Sequence, residues 1–363
     1  MPTENEMLEQ LRKGEVSLPP LSFRLLRENL DIGEISRLDA LVEASWGKYK
    51  AKFAVECKSL STPKSFQDGI NRLKLSPLPR GCNTMLFVPF LSGTQLMELE
   101  REGISGLDLC GNGVVIAKER FAVFRSGGKN RFTSSAPIKN IYRRNSSMVG
   151  RVFLVRASYK TVRDIWVEIN QRNPLVEQDE RTPMSLSTVS KALKTLEEDL
   201  IITRESAIRL LQPDKLLEKL SDNYVPPNIK TQVRLKVSEE KETVMKLLRK
   251  ASKDLGLPLI GTGKSSVKRY AVMQRGGLLS VYCPRLDGLL EKLEGSQTDR
   301  FPNLELLETE DETAFFDPRY EGNFWWASPA QVYLELMAGD KRDRETAEQV
   351  RSTIMNNLGA VLP

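Results

Sequence analysis

The chain has 363 residues and contains no histidine. This absence excludes a Ser-His-Asp triad, a Cys-His pair, HNH-type nuclease chemistry and any zinc site with imidazole ligands. Catalysis by this chain would therefore depend on carboxylates, lysines, hydroxyl groups or a bound metal ion.

Cysteines and long apolar runs are also scarce. The four cysteines form no CxxC pair, which argues against a zinc cluster or a disulfide framework and indicates reduced thiols. No apolar run approaches the roughly 18 residues that cross a membrane, and the acidic, amphipathic start MPTENEMLEQLRKGE is unlike a signal peptide. These observations predict a cytoplasmic protein without a membrane partner.

Positive charge is concentrated in one segment of the chain. The formal net charge is +6, yet residues 118–163 contain twelve lysines and arginines and one acidic residue, so the remainder is acidic. A basic stretch in an otherwise acidic chain predicts phosphate binding, and Arg143 and Arg144 within it are candidate DNA contacts. The alternative is a solvated face that only aids solubility.

Residues 146–211 show the pattern of three helices followed by a two-stranded hairpin. Ser146 or Ser147, Thr161 and Ser185 are candidate N-caps of the three helices. Four apolar residues of the third helix recur at helical spacing and predict a stripe that faces the core: Leu186, Val189, Leu193 and Leu196. The segment LIITRESAIRLL alternates like the two strands of a wing.

The opposite face of the third helix is polar and basic. Small hydroxyls near a helix N-terminus can approach base edges, and lysines and arginines can pair with phosphates. The residues predicted to contact DNA here are Ser187, Thr188, Lys191, Lys194, Arg204 and Arg209. The phrase SLSTVSKALKTLEEDLI resembles the recognition helix of winged-helix repressors, which implies duplex DNA as the partner; the alternative is a generic three-helix bundle. The long segment 172–184 is interpreted as an insertion on the side away from DNA.

Residues 33–60 predict two strands that carry a possible metal site. Asp39 lies on the first strand, and Glu56 and Lys58 lie on one face of the second by period-two alternation. Two carboxylates can hold Mg²⁺ beside a scissile phosphate, while a lysine orients or activates the attacking water. Asp39 and Glu56 are therefore candidate metal ligands, and all three residues are candidate catalytic residues.

The order strand, strand, helix, strand, helix, strand over this part of the chain resembles the core of the PD-(D/E)XK nuclease superfamily. Asp39, Glu56 and Lys58 match its motif positions, whereas an acidic residue of the leading helix, Glu9, matches only loosely. Leu38 occupies a position where the family often has proline. The resemblance implies either a Mg²⁺-dependent nuclease or a catalytically silent domain that kept the fold.

The C-terminal part mixes predicted helices with strand-like runs, including TQVRLKV, LLSVYCP, LELLE and TAFFD. Ser328-Pro329-Ala330-Gln331 predicts a capping box, and an excess of acidic residues after Gly295 predicts a regulatory or protein-contact surface. The sequence GTGKSS at 261–266 lacks the first glycine of a P-loop, since Pro258 stands there.

Several phrases, among them YKAKFAVECKS, GISGLDLCGNG and FWWASPAQVYLELMAGDKRDRETAEQV, resemble AbiEi-type antitoxin regulators of type IV toxin–antitoxin systems. The resemblance implies an α/β multidomain protein: a nuclease-like α/β domain (1–140), a winged helix-turn-helix (141–225) and an α/β C-terminal domain (226–363). It also implies repression of the protein's own operon and a cognate toxin as partner. A Mg²⁺-dependent endonuclease targeted by its winged helix is the alternative function, and a homodimer is left open.

Overall fold

The computed structural model describes residues 1–32, 36–132, 140–174, 183–237, 240–272, 278–293 and 295–359. The chain is mixed α/β and forms two compact units, Met1–Lys139 and Asn140–Pro363. Residues of the second and third predicted domains share the second unit. In the described ranges, no helix is long and apolar enough to cross a membrane.

The first unit is built on one seven-stranded sheet with strands in sequence order. Its strands are β1 (Ser22–Ile32), β2 (Ser36–Trp46), β3 (Tyr49–Cys57), β4 (Cys82–Val88), β5 (Ser105–Asp108), β6 (Gly113–Ala117) and β7 (Phe121–Arg125). Its helices are α1 (Glu4–Arg12), α2 (Pro63–Leu75) and α3 (Gly93–Glu102). Strands β3, β4 and β5 are parallel, because α2 and α3 carry the chain back between them, and the other neighbours are antiparallel.

Two apolar cores lie on opposite faces of this sheet. On one face, α1 contributes Met7 and Leu11 to a core that includes Phe53 of β3. On the other face, Phe66 of α2 and Leu99 of α3 pack with apolar side chains of the sheet. Because both faces are covered, β3 buries its last five residues and β4 its last four, which is the pattern expected for central parallel strands.

The second unit begins with helices and a small sheet. A short helix α4 (Met148–Arg151) is flanked by 3₁₀ turns over Arg144–Ser147 and Val152–Leu154. The following elements are β8 (Ser158–Tyr159), α5 (Val162–Gln171), α6 (Leu186–Glu198), β9 (Ile202–Arg204) and β10 (Ile208–Leu210). The three strands form an antiparallel sheet in the order β8-β10-β9.

A second seven-stranded sheet completes this unit, in the order β14-β11-β15-β13-β12-β17-β16. Its strands are β11 (Thr231–Lys236), β12 (Ile260–Gly261), β13 (Leu279–Cys283), β14 (Ser296–Gln297), β15 (Leu304–Glu308), β16 (Arg319–Glu321) and β17 (Phe324–Trp326). The remaining helices are α7 (Pro213–Asp222), α8 (Lys241–Leu255), α9 (Gly263–Ser266), α10 (Leu289–Leu293), α11 (Glu312–Phe315), α12 (Pro329–Met337) and α13 (Lys341–Gly359).

Several local predictions need correction. The run TAFFD is not a strand, since Glu312–Phe315 is a helical turn capped by Asp311. The hydroxyls of Ser146 and Ser147 do not cap a helix, because they donate to backbone carbonyls instead. The capping box at Ser328 is half formed: the serine accepts the Gln331 N–H, but the Gln331 side chain points to other partners.

Candidate functional site

The predicted carboxylate site lies where β2 and β3 stop pairing. The ladder between these strands ends at the pair Ala40–Val55, one residue short of Asp39 and Glu56. Beyond it, Asp39 Oδ2 accepts a hydrogen bond from the Cys57 N–H at 2.7 Å. The Asp39 side chain thus takes the backbone donor that a continued ladder would have used, and it holds the strand end beside Glu56.

Glu56 is buried and faces two cations. Its side chain is 1% exposed, with Oε1 at 2.7 Å from Lys58 Nζ and Oε2 at 3.2 Å from Arg72 Nε of α2. The Oε2 atom nevertheless has no hydrogen bond of acceptable geometry. Burial raises the pKa of Glu56 and the charge of Asp39 adds to this, while the hydrogen bond from Lys58 opposes it.

The structure places Asp39, Glu56 and Lys58 at the same end of β2 and β3, where Lys58 contacts Glu56 and Asp39 contacts the backbone of Cys57 between them. In the part of the chain that the structure describes, no group of three or more Cys, Asp or Glu residues could hold a metal ion. A cation bound by Asp39 and Glu56 would therefore need water or phosphate oxygens to complete its shell, and would have to displace Arg72 from Oε2.

Glu9, the acidic residue of the leading helix that matches the motif only loosely, makes its ion pairs within α1. It pairs with Arg12 and lies 3.7 Å from Lys13. Burial raises the pKa of the Cys57 thiol at the end of β3, and the charges of Asp39 and of Glu4, in the first turn of α1, add to the rise.

The third helix of the predicted winged segment is α6. Ser185 caps it by accepting the Thr188 N–H at 3.1 Å, and four residues are buried: Val189, Ala192, Leu193 and Leu196. Leu186 was assigned to this stripe, but it is 48% exposed because it occupies the first helical position, beyond the edge of the core.

The polar face of α6 is available to a partner. Ser187, Lys191 and Lys194 are exposed, and neither lysine has a partner in the described ranges. Thr188 is half-buried, and its hydroxyl lies 2.9 Å from the Ser185 hydroxyl within the cap. Thr188 is therefore less free than Ser187 to approach a base edge.

The wing strands present the two predicted arginines. Arg204 ends β9 and is exposed, with Nη1 at 3.9 Å from Glu197 Oε2, a distance that allows only a weak ion pair. Arg209 lies in β10 between Thr203 of β9 and Ser158 of β8, and its side chain is exposed.

Arg143 and Arg144 are exposed but lie at the other end of α6. The adjacent residue, Tyr142, donates a hydrogen bond to the carboxylate of Asp199, the C-cap of that helix. Twelve residues separate Asp199 from Ser187, or about 18 Å of helix at 1.5 Å per residue. These two arginines are thus not brought together with the polar N-terminal part of α6.

Several cations of the basic stretch are not free to contact phosphate. Its members are divided between the two units, and Lys139 lies outside the described residues. Arg120 and Arg131 donate to backbone carbonyls. Arg151 is 3% exposed and donates to Gln331 Oε1 at 2.7 Å and to the Thr313 carbonyl at 3.3 Å. The charge count therefore overstated the cations available to phosphate.

The GTGKSS segment is already occupied by carboxylate side chains of the same unit. Strand β12 leads into it, and Thr262 caps α9. The backbone N–H groups of Gly263 and Lys264 donate to the Glu335 carboxylate, and Lys264 Nζ lies 2.8 Å from Asp343. This turn is not open to a nucleotide phosphate, because the Glu335 carboxylate of α12 already accepts its backbone N–H groups.

A buried polar network in the second unit was not predicted from the sequence. Gln331 accepts from Arg151 and donates to Tyr224 and Glu335, and Tyr282 donates to the same Glu335 oxygen. Burial raises the pKa of Glu335, while hydrogen bonds from Gln331 and Tyr282 oppose the rise. The network joins α4, α12 and β13 by hydrogen bonds.

Comparison of the chain with protein-family models, with curated proteins and with solved structures found no match. The resemblances to PD-(D/E)XK nucleases and to AbiEi-type antitoxins therefore stay predictions.

Proposed function

We propose that this protein binds duplex DNA sequence-specifically through a winged helix-turn-helix formed by residues 141–225, and that it acts as a transcriptional regulator of antitoxin type. One observation carries the proposal. The described elements follow the order helix, strand, helix, helix, hairpin, and their strands form the sheet β8-β10-β9. This arrangement supports a wing beside an exposed third helix, which is how such domains present a recognition helix to the major groove.

The chemistry of α6 fits that role. Its buried face holds it on the unit, while Ser187 near its N-terminus and Lys191 and Lys194 along it remain exposed. A short hydroxyl at the first turn can hydrogen-bond base edges, and the two lysines can neutralise phosphates. Arg204 and Arg209 extend the basic surface along the wing.

Selection of bound duplexes from a random pool tests the proposal. The wild type should enrich one sequence family. Ser187→Ala should change the enriched sequence, because a lost base contact relaxes specificity at one position by about 1–3 kcal/mol. Lys191→Ala with Lys194→Ala should weaken binding to every duplex alike. Recovery of an unenriched pool by the wild type would refute sequence-specific binding.

A Mg²⁺-dependent endonuclease is the second candidate, and one observation favours it. Asp39 and Glu56 flank the point where β2 and β3 stop pairing, and Glu56 Oε2 is a buried carboxylate oxygen without a hydrogen bond. A divalent cation would satisfy that oxygen. The Arg72 guanidinium at 3.2 Å favours the silent alternative, in which two cations already neutralise Glu56.

Melting with and without Mg²⁺ separates the two alternatives. A hundredfold excess of Mg²⁺ over its dissociation constant should stabilise an active site by about 2.7 kcal/mol, and Glu56→Gln should abolish both this gain and any nicking of plasmid DNA. Glu102→Gln, which removes an exposed carboxylate paired with Lys74, is the matched control. Melting that is insensitive to Mg²⁺ and Mn²⁺ would exclude the endonuclease and leave the regulator as the single candidate function. A cognate toxin, a homodimer and a cytoplasmic location stay predictions.

A further inference from the structure

The turn between β2 and β3 presents two large aromatic side chains to solvent. Trp46 and Tyr49 are directly opposite each other across the strands, and they are 45% and 47% exposed. Gly47, with φ at +57°, lets the chain reverse within two residues. Neither ring belongs to the core clusters on the two faces of this sheet.

The two rings extend a line of side chains on one face of the sheet whose other members are buried. Ala44 of β2 and Ala51 of β3 belong to the core on the α1 side of the sheet, and period-two alternation places Trp46 and Tyr49 on the same face. The core ends at the alanines, so the rings stand beyond its edge with their faces accessible.

Basic residues surround this end of the sheet. Lys48 Nζ lies 5.5 Å from the centroid of the Tyr49 ring. The turn between β6 and β7 lies close by, because Arg120 donates to the Lys50 carbonyl. We call this end, with Trp46 and Tyr49, the aromatic–basic end; its cations are Lys48, in the turn between the two rings, and Lys118, in the turn that Arg120 joins to the Lys50 carbonyl.

Residues 43–52 and 117–121, which contain these two turns and the adjoining strand ends, include two acidic residues. Glu43 is 3.2 Å from Lys50 and partly neutralises it, and Glu119 occupies the turn between β6 and β7. The surplus of positive charge around two accessible rings is complementary to a polyanion that carries flat aromatic groups.

We propose that the aromatic–basic end binds single-stranded nucleic acid, with bases stacked on Trp46 and Tyr49 and phosphates paired with the surrounding cations. Unpaired bases are required, because the faces of duplex bases are covered by their neighbours. The surface is separate from the carboxylate site, since Glu56 follows Tyr49 by seven positions along β3, or about 23 Å at 3.3 Å per residue. It does not depend on the winged helix, because none of its residues belongs to that segment.

Fluorescence anisotropy with the full chain tests this proposal. The probes are fluorescein-labelled oligomers of about 12 nucleotides: oligo(dT), oligo(rU) and a mixed-sequence duplex. The test variants are Trp46→Ala with Tyr49→Ala, and Lys48→Ala with Lys118→Ala. Thermal melts check that each variant folds, and Trp46→Phe keeps an aromatic ring at the first position.

The chain supplies matched controls. Tyr320 and Trp325 form a second exposed cross-strand pair, 4.8 Å between ring centroids, and their double alanine variant controls for lost aromatic surface. Lys246 and Lys250 are exposed on α8 and control for lost charge. The Lys191→Ala, Lys194→Ala variant separates this surface from the proposed recognition helix.

The aromatic double variant should bind single strands at least tenfold more weakly, since each stacked base contributes about 1–3 kcal/mol. Trp46→Phe should retain most of the affinity, and the double lysine variant should lower the salt slope by about 1.4. A loss on oligo(dT), oligo(rU) or both supports the proposal and identifies the strand. Unchanged single-strand binding in the aromatic variant, an equal loss in the Tyr320, Trp325 control, or a loss confined to the duplex would overturn it.

Discussion

Gln331 is the residue on which the buried network of the second unit depends. Its carboxamide accepts from Arg151 at 2.7 Å and donates to Tyr224 at 3.0 Å and to Glu335 at 2.8 Å. Arg151 Nε has no hydrogen-bond partner in the described residues, and burial lowers the pKa of its guanidinium. An arginine in this position remains charged. Its hydrogen bonds to Gln331 and to the Thr313 carbonyl therefore have to offset the loss of hydration on burial.

Replacement of Gln331 by leucine should destabilise the second unit by about 3 kcal/mol, because a buried charged donor loses its acceptor. Urea unfolding followed by far-UV circular dichroism measures the change. Gln297→Leu, on the exposed edge strand β14, should cost less than about 0.5 kcal/mol. Equal stability of Gln331→Leu and wild type would contradict the assigned contacts.

Glu56 makes a second prediction at this scale, on pH dependence. Its folded pKa is raised above the ordinary value of 4.5, so its contribution to stability is present at low pH and is lost as pH rises through the folded pKa. Glu56→Gln does not titrate. The stability of the variant relative to wild type should therefore increase as pH rises from about 4 to 7.

Glu102 is a control because its pKa is shifted in the opposite direction to that of Glu56. The hydrogen bond from Lys74 lowers its pKa, so its contribution is present above the unfolded pKa and is lost on acidification. Glu102→Gln should thus lose stability relative to wild type as pH rises. Parallel pH curves for wild type and Glu56→Gln would show that Glu56 titrates normally.

Among the elements, the helices with clear N-caps could be predicted from the sequence. The apolar residues that these helices bury could largely be predicted as well. Thr161 and Ser185 cap their helices as predicted. Strand β1 was missed because SFRLLRENLDI has charges at several positions and no clean alternation. Leu186 was misplaced because periodicity does not say where a core ends.

Ser185 tests the element that carries the proposed function. Ser185→Ala should destabilise α6 by about 1 kcal/mol, while Ser185→Asn should retain most of the cap. Hydrogen exchange of the first-turn amides, read together with thermal melts, measures the effect. An alanine variant with unchanged protection at Thr188 would mean that the cap does not hold this turn.

The candidate sites show the same limit. The grouping of Asp39, Glu56 and Lys58 follows from strand alternation, which the sequence displays. Arg72 reaches Glu56 from α2, and Arg151 of α4 donates to Gln331 of α12. Contacts of this kind join residues far apart in the chain, so no local pattern predicts them.

For the whole molecule, the second unit links the proposed winged helix to the C-terminal sheet. Arg172 at the end of α5 pairs with Asp317 at 2.5 Å, and Arg151 of α4 contacts Gln331 of α12. Residues 140–225 thus share buried polar contacts with residues 226–363, and a chain ending at Val225 would leave both arginines without these partners.

A salt titration of duplex binding tests the central claim most directly. Plotted as log K against log salt, wild-type affinity should fall linearly, and Lys191→Ala with Lys194→Ala should reduce the slope by about 1.8, or about 0.9 for each lost phosphate contact. Lys246→Ala with Lys250→Ala should leave the slope unchanged. A wild-type affinity that does not change between roughly 50 and 200 mM salt, or a slope that is equal in both variants, would contradict DNA binding through α6.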